Sequence, residues 1–265
     1  MRAVCQEGCL ANLSTALGEN ALQSNSGVEN TAIGYGALSN NTSGYFNTAA
    51  GGSALQSNTT GRTNAAMGFD ALRFNSIGIA NTATGSFALS NNTSGIANTA
   101  TGAGALSDNS TGSFNTAVGD NTLLFNTTGI NNTAIGADAM AGDGETFLTG
   151  SNNTATGFEA MQLNTTGNGN AANGATALFS NTTGFFNTAA GLDALGSNTT
   201  GNYNTAGGQA CLYSNTTGHN NTALGQNALR NNTTGSFNIA VGSNAGFNVT
   251  TGDNNIDIAN AGAAG

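Results

Sequence analysis

Small apolar and polar positions recur along this chain in one fixed order, without the 3.6-residue apolar period of an amphipathic helix. A unit N-T-A-x-G begins at Asn30, Asn47, Asn64, Asn81, Asn98, Asn115 and Asn132, and again at Asn153, Asn170, Asn187, Asn204, Asn221, Asn238 and Asn255. Twelve of the steps are 17 residues. A degenerate first copy starts at Ser14, 16 residues before Asn30, and the step from Asn132 to Asn153 is 21. The short step lacks a residue at Asn25-Ser26-Gly27, and the long one carries four extra residues within 141–148. The averaged turn reads N-T-A-x-G-x-x-A-L-x-x-N-T-T-G-x-x, and positions one to seventeen are counted from its first Asn.

Disordered repeats drift freely in length. A register kept through about fifteen copies, with its indels confined to two places, implies that each copy stacks on the next. Seventeen residues are too few for a pair of helices and their connections. Glycines at positions five and fifteen flank short segments rich in Thr, Ala and aliphatic residues, as expected where the chain direction reverses twice per copy. The predicted fold is therefore all-β, a parallel β-solenoid of about fifteen turns of 17 residues. At about 4.8 Å per rung this predicts a rod of roughly 70 Å. The absence of Pro agrees, because a continuous ladder uses the N–H of nearly every strand residue. Residues 1–13 read as an N-terminal segment or cap, 14–258 as the solenoid, and 259–265 as a tail leading towards a further domain.

Variation between copies indicates what faces inward. Position three is Ala almost throughout (Ala32, Ala49, Ala66, Ala83, Ala100), and position nine is Leu or Met (Leu38, Leu55, Leu72, Leu89, Leu106, Met140, Met161). These rows are the expected core, and a larger side chain in the Ala row would overpack it by about 1 to 3 kcal/mol. Asn recurs at positions one and twelve. Stacked amides can hydrogen-bond along the repeat axis as a ladder. The second row also supplies N-x-S/T sequons at Asn41, Asn58, Asn92, Asn109, Asn126, Asn164, Asn181, Asn198, Asn215 and Asn232, which are candidate N-glycosylation sites.

Charge narrows the partners. The formal net charge of -9 comes from thirteen acids against Arg2, Arg62, Arg73 and Arg230, so no basic patch exists to neutralise phosphates and nucleic acid is not an expected partner. No apolar run approaches the ~18 to 20 residues that cross a bilayer, and no basic segment followed by an apolar one opens the chain. Direct membrane insertion by this chain is not expected. Three cysteines do not make a disulfide framework. Cys5 and Cys9 could form a local bridge or stay reduced, whereas Cys211 takes a slot that is Ala in most turns and reads as a small buried side chain.

Catalysis needs a nucleophile or acid–base pair with an orienting partner, and no such constellation is evident; no catalytic, cofactor-binding or metal-binding residues are predicted, and the chain reads as non-enzymatic. His219 falls at a variable corner. Acids recur at positions six and seven (Asp70, Asp120, Asp138, Glu159, Asp193), with Asp143 and Glu145 in the inserted segment, and read as a solvated acidic stripe. Aromatic residues gather at positions sixteen and seventeen, as Tyr45, Phe46, Phe114, Phe185, Phe186, Tyr203 and Phe237. Exposed, these would form an apolar strip suited to a subunit or receptor contact; alternatively the rings stack on one another.

The units Asn30-Thr31-Ala32-Ile33-Gly34 and Asn132-Thr133-Ala134-Ile135-Gly136, each followed by x-x-A-L/M, resemble the head repeats of YadA-like trimeric autotransporter adhesins. Turns containing N-T-T-G, such as Asn126-Thr127-Thr128-Gly129, resemble those of phage tail-fibre-like proteins. The resemblance implies a left-handed β-roll, a homotrimer or fibre, an extracellular or cell- or virion-surface location, and attachment to a surface receptor or matrix. The turn here is longer than the usual adhesin turn by an N-T-T segment, which bears on trimer geometry. Two other functions fit parts of the pattern. One is ice binding through the Thr row at position two, paired as T-x-T at Thr82/Thr84, Thr99/Thr101 and Thr154/Thr156; the other is an N-glycosylated structural fibril.

Overall fold

The computed structural model describes residues 12–259. Cys5, Cys9, most of the expected N-terminal cap and nearly all of the expected tail lie outside the described residues. Among the described residues there is no helix, and every strand is three residues long. Contacts group the chain into two compact units, Met1–Asn131 and Asn132–Gly265. The first holds β1 (Thr15–Leu17), β2 (Thr31–Ile33), β3 (Thr48–Ala50), β4 (Ala65–Met67), β5 (Thr82–Thr84), β6 (Thr99–Thr101) and β7 (Thr116–Val118). The second holds β8 (Thr133–Ile135), β9 (Thr154–Thr156), β10 (Ala171–Asn173), β11 (Thr188–Ala190), β12 (Thr205–Gly207), β13 (Thr222–Leu224), β14 (Ile239–Val241) and β15 (Ile256–Ile258). Within each unit every strand is parallel to its neighbours with equivalent positions paired, as Thr48↔Ala65 and Ala49↔Ala66 in the first unit and Thr188↔Thr205 and Ala189↔Ala206 in the second. The chain is a parallel β-solenoid with about 17 residues per turn.

Only positions two to four form strand. The expected second segment around the Ala-Leu pair is instead a run of turns, because its residues alternate into left-handed backbone. Positions seven, nine and seventeen carry positive φ in turn after turn, as at Asp70 (56°), Leu72 (51°) and Ala80 (58°). For a residue with a Cβ this conformation costs on the order of 1 kcal/mol or more. What offsets it is visible in the same residues: each aims its N–H along the repeat axis at an adjacent turn. Asp70 donates to the Gly52 carbonyl at 3.0 Å, Leu72 to Ala88 at 3.0 Å and Ala80 to Arg62 at 3.0 Å. Inter-turn pairing thus continues well beyond the strand, which extends the reason for the absence of Pro to the turns.

Thr63 tests this balance. It is exposed, β-branched and held at φ 58°, while Asn131, Asn220 and Asn254 occupy the same position in other turns. Asn tolerates this conformation better than a β-branched residue. Thr63→Asn is expected to raise the midpoint of thermal unfolding by roughly 2 °C, corresponding to about 1 kcal/mol, with the Thr63 N–H to Tyr45 carbonyl bond retained.

Inside each turn the core consists of the predicted position-three Ala and position-nine Leu or Met rows. A second Ala row at position eight, including Ala37, Ala54 and Ala71, is equally buried. Cys211 and Thr122 stand in that row and are fully buried. Cys211 Sγ lies 3.0 Å from the Ala223 carbonyl, and burial pushes its thiol up to about 12. A thiol that stays protonated inside the core does not alkylate. We expect iodoacetamide at pH 8 to leave Cys211 unmodified in the native chain and to modify it in denaturant, as read by peptide mass. Because the unfolded thiol ionises near pH 9 and the folded one near 12, its contribution to stability is complete below the first value and is lost as pH rises through the second.

The two Asn rows are also interior. Asn47 Nδ2 donates to Asn30 Oδ1 at 3.1 Å and to the Gly61 carbonyl at 2.9 Å, while its backbone N–H donates to the same Asn30 Oδ1 at 3.0 Å. In the second row Asn58 Nδ2 donates to Asn41 Oδ1 at 2.7 Å and to Gly61 at 3.0 Å. The Gly61 carbonyl thereby collects one amide from each row. A Cβ on Gly61 would stand 2.3 Å from Asn58 Oδ1, so the position-fifteen glycine is demanded by the closeness of the amides. The second row ends at Asn232, whose Oδ1 has no partner; Val249 stands at the next equivalent place.

The short turn keeps this scheme, whereas the turn that begins at Asn132 supplies no Asn to the second row, and Asn126 Oδ1 has no partner. Asn25 retains its place in the amide row, accepting from Asn41 Nδ2 at 2.6 Å, although one residue is missing before Gly27. The inserted segment leaves Asp143, Gly144, Glu145, Thr146 and Phe147 exposed while Leu148 returns to the interior. Asp143 Oδ1 accepts from the N–H groups of Glu145 and Thr146, both at 3.0 Å, and from Thr146 Oγ1 at 2.8 Å. Those bonds, led by the Glu145 N–H, hold its carboxyl below the usual value of 3.8. At β15 the Ala row gives way to Asp257, which pairs with Ala240 in register and whose Oδ2 accepts the N–H of Gly246 at 2.8 Å.

Candidate functional site

From Asn30 to Asn238 the side chains of the amide ladders are withdrawn from solvent, so the surface chemistry rests on the remaining positions. Strand positions two and four point outward, as the alternation of exposed and buried residues in β5 (Thr82–Thr84) and β6 (Thr99–Thr101) shows. Positions six, seven, ten and eleven form one set of outer rows, and thirteen, fourteen, sixteen and seventeen another. Identical positions on neighbouring turns lie one strand spacing apart, about 4.8 Å.

The ten sequon asparagines belong to the interior. Asn41, Asn58, Asn92, Asn109, Asn126, Asn164, Asn181, Asn198, Asn215 and Asn232 are at most 1% exposed. Asn181 is representative: its Nδ2 donates to Asn164 Oδ1 at 2.7 Å and to Gly184 at 3.0 Å, so both amide hydrogens are committed. A glycan would replace one of those hydrogens and has no exit from the core. The expectation of N-glycosylation on the folded chain is corrected accordingly, and the ladder reading holds for the same residues.

The aromatic strip resolves into separate clusters. In the first unit, Tyr45 and Phe46 meet edge to face at 5.1 Å, with the Arg62 guanidinium 5.8 Å from the Tyr45 ring. Phe114 stands four turns away, with Thr63, Ala80 and Ala97 at the intervening places. In the second unit, Phe185, Phe186 and Tyr203 form one group: Phe186 stacks on Tyr203 at 5.4 Å and Phe185 abuts both. Phe237 pairs edge to face with His219 at 5.3 Å, and His219 Nδ1 lies 3.1 Å from Ser236 Oγ. The rings stack locally and stay at least partly exposed, Phe186 at 56% and Phe237 at 53%. A continuous aromatic strip is absent because the turns between Phe46 and Phe114 carry Arg62-Thr63, Ile79-Ala80 and Ile96-Ala97, without a ring.

Other aromatic contacts lie on the outer rows at positions six, seven, ten and eleven. Phe69 meets Phe87 at 5.6 Å, the Arg73 guanidinium lies 4.9 Å from the Phe74 ring, and Arg230 lies 5.8 Å from the Tyr213 ring. The signal for these was present as aromatic residues recurring at those positions, but their scatter among polar ones hid it.

The acidic row is less solvated than expected. Asp70 is buried, with Oδ2 3.1 Å from Arg73 Nη1 and Oδ1 without a partner. Asp138, Glu159 and Asp193 are half-buried at position seven, and Asp120, at position six, is exposed. Among the described residues, no group of three or more His, Cys, Asp or Glu converges on a point where a metal ion could sit. No described helix is long and apolar enough to cross a membrane. In the second unit a groove of about 330 Å³ runs between Glu159, Thr176 and Asp193 on one side and Phe179, Gly196 and Tyr213 on the other.

No protein-family model matches the chain. Comparison with curated proteins likewise gives no match.

Proposed function

We propose that this chain is a structural and adhesive module of an extracellular surface fibre, at a cell or virion surface, that self-associates as a homotrimer or fibre and attaches to a receptor or matrix through many weak contacts. The observation that carries this reading is the repetition of the same outward position at every turn, with exposed clusters such as Phe185, Phe186 and Tyr203 standing among those rows. Contacts too weak to hold singly gain avidity when several engage together. The resemblance to adhesin head and tail-fibre repeats supports the same reading.

The test combines mass in solution with surface capture. Multi-angle light scattering of the purified chain is expected to give three times the chain mass, and cells or matrix-coated beads are expected to retain it. The triple variant Phe185→Ser, Phe186→Ser, Tyr203→Ser should weaken self-association or retention several-fold while leaving the far-ultraviolet circular dichroism unchanged. A monomer that no tested surface retains would defeat the proposal.

A second reading, ice binding, draws on one specific arrangement. Thr82 and Thr84 on β5 stand in register with Thr99 and Thr101 on β6, giving a small two-by-two hydroxyl array on the outer sheet face. Its neighbours Met67 and Val118 are exposed and break the array. A gap between freezing and melting points in the presence of the chain would favour this reading over adhesion.

A further inference from the structure

The groove in the second unit exists because of a single residue. Position ten carries Phe179, Gly196 and Tyr213 on three successive turns, and Gly196 leaves the space between the two rings without a side chain. Tyr213 leans into that gap: a Cβ on Gly196 would lie 3.1 Å from its Cε2. Across the groove, position seven carries Glu159, Thr176 and Asp193, and Thr176 Oγ1 donates to Asp193 Oδ1 at 2.5 Å. At about 330 Å³ the groove is at the small end of the ~300 to 1,000 Å³ typical of small-molecule sites.

The chemistry of the lining selects among ligands. Its side chains are acidic, hydroxylic or aromatic, so it offers acceptors and ring faces to whatever enters. An anion is repelled, and the net charge of -9 adds to that repulsion. A hard metal ion needs oxygen ligands at about 2.3 to 2.6 Å. Glu159 and Asp193 stand two turns apart, roughly 10 Å by strand spacing, which is too far for both to reach one ion. Phe179 and Tyr213 are also two turns apart. The Tyr213 ring lies over Gly196 and Phe179 lines the same groove, so a positive centre that enters it meets aromatic rings, whose faces attract a cation within about 6 Å. Tyr213 already stands 5.8 Å from one cation, the Arg230 guanidinium.

We propose that this groove binds a small organic cation of the alkylammonium class, its positive centre seated against Tyr213 and Phe179 and facing the Asp193 carboxylate, with Glu159 two turns along the same groove. The site lies within one chain and needs no second copy, so its failure and that of the adhesive reading are distinguishable.

The full chain is titrated with choline at constant ionic strength, followed by calorimetry and by the ring resonances of Tyr213. Its uncharged isostere 3,3-dimethylbutanol is titrated in parallel. Nα-acetyl-lysine amide forms a third arm that separates a methylated free cation from an amine borne on a protein. Saturable binding of choline or of the lysine amide is expected, with the isostere weaker by roughly ten-fold or more, the equivalent of one charge-assisted contact. The double variant Glu159→Gln, Asp193→Asn, checked for an unchanged circular dichroism spectrum, is expected to bind more weakly by at least that factor. Phe179→Gln serves as an independent variant that leaves both carboxylates in position and should also weaken binding. Absence of saturation with both cations, equal binding of the isostere, or undiminished binding by the double variant would each overturn the assignment.

Discussion

Replacing Asn187 with alanine is expected to lower the unfolding free energy of the second unit by roughly 3 to 5 kcal/mol, measured by chemical denaturation. The size follows from how many partners one amide serves. Asn187 Nδ2 donates to Asn170 Oδ1 at 3.2 Å and to Gly201 at 2.8 Å, and its N–H donates to Asn170 Oδ1 at 2.9 Å. Its Oδ1 in turn accepts from Asn204 N–H at 3.0 Å and from Asn204 Nδ2 at 3.2 Å. Alanine would leave two donors on Asn204 without their acceptor, deep in a core that water does not enter, and each orphaned group costs about 1 to 3 kcal/mol. Aspartate has nearly the same volume but lacks the amide hydrogens and brings a buried charge, so Asn187→Asp is expected to do at least as much damage. The exposed Asn40 provides the contrast: Asn40→Ala should stay within about 0.5 kcal/mol of the parent. Equal effects at Asn187 and Asn40 would mean that the ladders contribute little.

The second large effect is expected at Gly191. Its φ of 140° lies where residues with a Cβ are rarely found, and a Cβ there would meet the carbonyl carbon and oxygen of Gly208 at 2.6 Å. Neither contact can relax by rotating a side chain, because both atoms belong to the backbone of the next turn. Strain and overpacking together suggest a loss of about 4 kcal/mol for Gly191→Ala. Gly36 separates this from a general intolerance of alanine. At φ 66° it stands where other turns carry Ser53, Asp70 or Phe87, and its nearest contact would be the flexible Gln56 amide at 3.4 Å. Gly36→Ala is therefore expected to cost under about 1 kcal/mol, again by chemical denaturation.

These contrasts indicate what could be read from the letters alone. The period, the parallel stacking, the inward Ala and Leu rows and the places of both indels follow from repetition, because a residue that recurs at one position in every copy reports a constraint common to all copies. The left-handed backbone at Leu72 and its equivalents was not legible. Leu is a poor indicator of that conformation, and only the inter-turn bond from its N–H explains why it is adopted. The sequons were misleading for a related reason. Asn and Thr at positions twelve and fourteen satisfy a processing motif and a packing motif with the same letters, and only burial separates them. The groove at Gly196 was invisible because it depends on what three successive turns place side by side, which no single copy displays. Asp257 was likewise unread; an acid in the Ala row looks like drift until its bond to Gly246 is seen.

One feature of the amide ladders reaches past stability. Asn47 looks back 17 residues to Asn30 and forward 17 to Asn64, and most of the inter-turn backbone bonds span a similar interval. Cutting out or copying a stretch of seventeen codons joins equivalent neighbours to one another, whereas a change of another length has to be absorbed in a loop, as at the missing residue before Gly27 and the inserted segment within 141–148. Unequal recombination between copies would thus generate foldable descendants at every whole step, so the tally of copies can change in a lineage more readily than the make-up of any one of them.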